Sequence, residues 1–238
     1  MALPNASRHL LRNVSLFSLA ALAIATVQMT LPGRATDAAA VQTLPDPAID
    51  LPTAAGQQTV VLAGGCFWGV EAVFEHVKGV SDVVSGYSGG DARSANYPMV
   101  SFGGTDHAEA VKITYDPAQV SYGQLLKIYF LVAHNPTELN RQGPDTGTQY
   151  RSAIFFANDE QKRVAQAYID QLSQAQSFPD PIVTQLSPLN AFYAAEDYHQ
   201  NFIDRNPDYP YVVIHDLPKL EQLRKQFPDL YKNSSLSL

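Results

Sequence analysis

The chain has one cysteine, Cys66, and one tryptophan, Trp68, in 238 residues. A lone cysteine excludes an internal disulfide, so no covalent staple holds the fold. Basic side chains are also scarce, 16 Lys and Arg against 23 Asp and Glu, for a formal net charge of −7. That balance argues against nucleic acid as a partner, because phosphate binding needs clustered Lys and Arg. No internal repeat and no metal-ligand spacing is visible, so neither a metal nor a bound cofactor is expected. What is present is 45% hydrophobic residues, ordinary for a domain with a real core.

The first forty residues read as a targeting segment. "MALPNASRHLLRN" carries Arg8 and Arg12 and no acid, "VSLFSLAALAIATV" is apolar, and Ala38 and Ala40 suit cleavage after Ala40. This is the order of an export signal, leading to the periplasm or another extracytoplasmic compartment. The apolar stretch from Val14 to Leu31 approaches the ~20 residues that span a bilayer, so an uncleaved membrane anchor is the alternative. An organelle transit peptide is a third reading. Residues 41–57, with three prolines and no helical period, read as a Pro-rich linker. Residues 58–238 are left as the folded domain.

Within that domain, "QQTVVLA" is a strand running into Gly64-Gly65. From Cys66, the apolar positions Phe67, Val70, Val73, Phe74 and Val77 have a helical period, stopped by Gly79. A short strand leads into a Gly/Ser-rich loop reaching about Tyr97. Residues 107–117 alternate as a strand, and 121–134 form a helix capped by Ser121. A long loop precedes a strand at 150–158, a helix capped by Asp159, and a strand at 181–188. A short helix over 195–205 and a C-terminal helix over 217–231 complete the domain. This order predicts an α+β two-layer sandwich: a mixed β-sheet with helices mainly on one face and a ferredoxin-like core.

Cys66 is either a buried small hydrophobe or a reactive thiol. Its place between a Gly-Gly turn and a helix favours the second. Unpaired N–H groups and the helix dipole stabilise thiolate there, and two glycines remove side chains that would block approach. Phe67 and Trp68 are core aromatics or the wall of a pocket; spacing alone does not separate the two.

"GCFWG" followed by "VEAVF" resembles the signature of the A-type peptide methionine-S-sulfoxide reductases. "GYSGG" (86–90), "NYPMV" (96–100), "DHAEAVKITYDP" (106–117), "GTQYRSAIFF" (147–156) and "AEDYHQ" (195–200) resemble further family segments in the same order. The resemblance covers roughly 58–214 and implies a catalytic domain that reduces methionine-S-sulfoxide, free or in oxidised proteins. By this resemblance Cys66 is the nucleophile and Glu109 the acid that protonates the sulfoxide oxygen. Phe67 and Trp68 cradle the substrate methyl, Tyr97 and Tyr150 hydrogen-bond the oxygen, and Asp145 organises the site. The chemistry suits these types: a carboxylic acid supplies the proton that makes sulfoxide oxygen a leaving group, and phenols stabilise developing charge on it.

Many family members carry further cysteines that resolve the oxidised nucleophile through an internal disulfide. This chain has none, so an external thiol is expected to reset it: thioredoxin, glutaredoxin, glutathione or similar. A monomer is expected, with membrane contact only if the N-terminal segment stays uncleaved. Two rival readings exist. One is a hydrolase or acyltransferase pairing Cys66 with His107 or His199. The other is an exported, non-enzymatic binding domain.

Overall fold

The computed structural model of the chain describes residues 43–233, so the expected signal or anchor of residues 1–40 lies outside the described residues. β1 (Gln58–Gly64), α1 (Phe67–Glu75), β2 (Val80–Ser88) and β3 (Ala108–Tyr115) form where their apolar periods predict them. Side chains alternate across β1. Val60 and Leu62 join the large core with Phe74 of α1, and Val61 and Ala63 join a smaller cluster with Ala108, Ala110 and Phe155. Both faces of this central strand are therefore covered.

Along the chain follow α2 (Tyr97–Phe102), α3 (Tyr122–Ile128), the two-residue strands β4 (Arg141–Gln142) and β5 (Asp145–Thr146), β6 (Ser152–Phe156) and α4 (Asp159–Gln174). The chain ends with β7 (Gln185–Pro188), β8 (Phe192–Ala194), α5 (Phe202–Arg205) and α6 (Leu217–Gln226). The main sheet is mixed, in the order β7-β6-β1-β3-β2-β8, with β6 and β7 parallel and the other pairs antiparallel. On β3, Glu109 lies opposite Tyr87. It shares the strand face of Val111 and Ile113, which belong to the large core under the helices.

Several boundaries differ from the sequence reading, each for a local reason. Where the loop ends at Tyr97 an unexpected helix, α2, begins: Asn96 accepts the Met99 N–H at 3.2 Å and Pro98 sits in the first turn, where its missing N–H costs nothing. Residues 195–201 form no helix but a turn over 197–201, since β8 ends just before them on the edge of β2. The cap of α4 is Asn158, accepting the Gln161 N–H at 2.9 Å, not Asp159. Ser121 does cap α3, in a full capping box with Gln124. After Ile128 that helix widens into a π turn, Tyr129–Ala133.

The described part of the Pro-rich segment has no helix or strand, yet it is tied down. Leu44 is buried, and Asp50 accepts the Ser121 hydroxyl and the Gly123 N–H.

Glu71 points inward from α1 and is buried, with Oε2 accepting the Asn201 N–H at 3.0 Å. Burial, and then Glu75, push its carboxyl up to about 8, against the pull of the Asn201 N–H. A folded pKa above the unfolded one gives stability that is complete below the unfolded value of 4.5 and is lost as pH rises through about 8. Glu71→Gln keeps an acceptor for Asn201. It is expected to stabilise the domain by about 1–3 kcal/mol at about pH 9 and negligibly at about pH 4, as read by thermal unfolding at both.

Candidate active site

Cys66 occupies the N-cap position of α1, directly after Gly65. The two glycines serve packing, not the open approach expected of them. A Cβ at Gly64 would lie 3.0 Å from that of His134, and one at Gly65 would lie 2.6 Å from Gln142, at a φ of +92°. Residues of the loop after α3 fill the space on that side. Access to the sulfur is instead through a cleft of about 210 Å³ lined by Cys66, Phe67, Trp68, Tyr97, Glu109, Asp145, Tyr150, Tyr209 and Tyr211. That volume suits a single side chain and is below the range of larger ligand pockets.

Every site residue named from the sequence therefore meets in one cleft. Glu109 is only 2% exposed, and its Oε2 accepts the Phe67 N–H at 3.1 Å. This bond satisfies one of the orphan donors at the start of α1 and fixes the acid one residue from the cysteine. Burial pushes the Glu109 carboxyl up to about 8; the Phe67 N–H opposes this and Asp145 reinforces it.

The thiol does not behave as a helix N-terminus alone suggests. Burial pushes Cys66 well above the ordinary thiol range, and Glu109 and Asp216 push the same way. The Trp68 N–H and Lys219 pull down but are outweighed. Desolvation beats the helix end here, because nearby carboxyls share the same enclosed space.

Tyr97 is the first residue of α2. Tyr150 ends the turn Thr148–Tyr150. Burial, followed by Glu109, raises both phenols, so both remain proton donors. Asp145, on the small β4–β5 hairpin, accepts a hydrogen bond from the Tyr211 hydroxyl. Trp68 is half-buried, stacked on Phe202 at 3.7 Å and flanked edge-on by Tyr209 and Tyr211. Tyr209 and Tyr211 were not predicted as site residues. Their only sequence signal is the aromatic-rich run "NPDYPY", which does not show where the chain folds back.

Neither histidine of the rival reading lines the cleft. His107 is fully buried as a loop staple: Nε2 is 2.9 Å from the Asp91 carbonyl and Nδ1 accepts the Gly90 N–H. His199 spends Nδ1 on the Trp68 indole N–H, at 3.1 Å. Among the described residues no three His, Cys, Asp or Glu side chains are grouped to hold a metal ion.

The family model of peptide methionine sulfoxide reductase matches residues 58–231. Peptide methionine sulfoxide reductase MsrA 2 of Synechocystis sp. (strain ATCC 27184 / PCC 6803 / Kazusa) is 59% identical over 196 residues, covering 81% of this chain and 92% of that protein. The protein of the same description from Mesorhizobium japonicum is 59% identical over 183 residues, covering 77% and 94%. Among solved structures, Mxr1 from Saccharomyces cerevisiae in reduced form superposes with a TM-score of 0.60 at 32% identity, covering 68% of this chain and 92% of that one. Methionine sulfoxide reductase A of Corynebacterium diphtheriae gives 0.56 at 32%, covering 70% and 87%. Relatives matched over nearly their whole length make the conclusion direct: the chain belongs to the peptide methionine sulfoxide reductase family and reduces methionine sulfoxide.

Proposed function

We propose that Cys66 attacks the sulfur of methionine-S-sulfoxide while Glu109 protonates its oxygen. The observation that carries this is the buried Glu109 carboxyl, held by the Phe67 N–H in the same small cleft as the thiol. Burial raises both groups, and the Glu109 carboxylate further raises the thiol, so both favour holding a proton. As the carboxyl gives its proton to the sulfoxide oxygen, it becomes a carboxylate able to take the thiol proton, which frees the sulfur to attack. Tyr97 and Tyr150 donate hydrogen bonds to that oxygen, Phe67 and Trp68 bound the substrate methyl, and Asp145 orients Tyr211 over the cleft.

The step balances simply. Attack forms a bond between Cys66 Sγ and the substrate sulfur. That bond breaks as methionine leaves with the electron pair and the oxygen passes to Cys66 as hydroxyl, giving a sulfenic acid whose proton came from Glu109, while the thiol proton restores the Glu109 carboxyl. One external thiol then forms a mixed disulfide with loss of water, and a second frees Cys66 as a disulfide of the reductant. Thioredoxin, glutaredoxin or glutathione has the chemistry to serve; substrates are oxidised proteins and free methionine sulfoxide, and the enzyme acts as a monomer. The central order β6-β1-β3-β2, all antiparallel with two helical crossovers, supports the ferredoxin-like reading of the core. The basic, apolar and small-residue order of residues 1–40 supports export, and mass spectrometry of the native protein is expected to find a new N-terminus near Val41.

Reduction is expected for the S epimer alone when both epimers are offered with dithiothreitol; equal use of both contradicts the reading. Glu109→Gln is expected to slow kcat/KM by about 10²-fold or more. The wild-type rate should be flat below about pH 8 and fall above it as Glu109 loses its proton. A variant within a few-fold of wild type places the proton elsewhere.

Without thiol, one enzyme should reduce one equivalent of sulfoxide and stop. A sulfenic-acid reagent should then label Cys66, and glutathione should abolish the label. A disulfide-linked dimer in place of the label would show that two chains resolve each other.

A further inference from the structure

"AEDYHQ" (195–200) contributes no residue to the lining of the cleft, yet it touches both of its walls. Glu196 accepts the Tyr97 N–H through Oε1 and the Tyr87 hydroxyl through Oε2, each at 2.9 Å. His199 accepts the Trp68 indole N–H through Nδ1. An indole can only donate, so the imidazole is neutral with its proton on Nε2. The same ring lies 4.4 Å from the Tyr97 ring and 5.0 Å from that of Phe67, centre to centre. It is a spacer between α2 and α1 as well as an acceptor.

The segment is itself fixed to the sheet. Gln200 accepts the Ser85 N–H and donates to the Ser85 and Ala195 carbonyls, standing in for one more residue of β8 against β2. Both walls need such support. Tyr97 starts a helix of six residues, too short to hold its own geometry. Trp68 has a half-buried N–H that costs free energy if left without a partner.

We propose that Glu196 and His199 are positioning residues, which together set the separation of Tyr97 from Trp68 and so the width of the substrate cleft. This rests on the reading that those two side chains bind substrate.

Trp68 is the only tryptophan, so its emission reads one wall directly. His199→Phe keeps a ring but removes the acceptor; His199→Gln keeps an acceptor. The first is expected to shift Trp68 emission and raise KM for methionine sulfoxide about five- to tenfold, the worth of one such hydrogen bond, with a smaller change in kcat. The second should restore both towards wild type. Glu196→Ala is expected to raise KM by a similar factor through the Tyr97 wall, and it carries the test if His199→Phe does not fold.

Wild-type emission and KM in His199→Phe, equal losses in the Phe and Gln variants, or an unchanged KM in Glu196→Ala each overturn the proposal. Trp68→Phe separates the two levels. If it leaves KM unchanged, the substrate-wall reading fails and the positioning proposal with it. If it raises KM while the His199 and Glu196 variants match wild type, positioning alone fails.

Discussion

One hydrogen bond joins the sheet to the chemistry: the Phe67 N–H to the buried carboxyl of Glu109. A helix starts with N–H groups that lack partners, and a buried carboxyl needs a donor. Each answers the other. Because Phe67 follows Cys66 directly, the bond also fixes the thiol beside the acid. Because Glu109 sits on β3 opposite Tyr87, the bond ties the helix start to the middle of the sheet. The consequence is electrostatic. A carboxyl removed from water and a thiol in the same enclosure both resist ionisation.

The tail contributes to that enclosure. Asp216 is fully buried, with its Oδ1 3.3 Å from Lys219 Nζ. A Cβ at Gly69 would lie 2.1 Å from that same Oδ1, so the glycine in the first turn of α1 lets the acid pack against it. Asp216 raises the thiol and Lys219 lowers it, which places the start of α6 among the groups that tune Cys66. No second thiol exists in the chain to meet an oxidised Cys66, and the tail serves as wall and charge instead.

What the sequence made legible was local or periodic. The strand–turn–helix around Cys66, the alternation of β3 and the Ser121 cap each depend on neighbours within a few residues. The thiol's ionisation was misjudged because the helix end is visible in the sequence, whereas desolvation and the facing carboxyls come from β3 and the tail. The acid role expected of Glu109 came from resemblance, and its burial was not legible at all, since nothing nearby in the chain says that α1 covers it. The role of Gly64 and Gly65 was misread for the same reason: their neighbours, His134 and Gln142, come from a loop about seventy residues away. Tyr209 and Tyr211 reach the cleft by a late return of the chain, and β8 was hidden because three residues carry no period.

The proposed proton delivery depends on Glu109 holding a proton at neutral pH in the resting enzyme. Infrared difference spectra between wild type and Glu109→Gln, followed across pH, test it directly. A protonated carboxyl band assigned to Glu109 should be present at neutral pH and disappear around pH 8. Its loss near the ordinary glutamate value of 4.5 would mean that the acid is ionised at rest, contradicting the account of how the site delivers its proton.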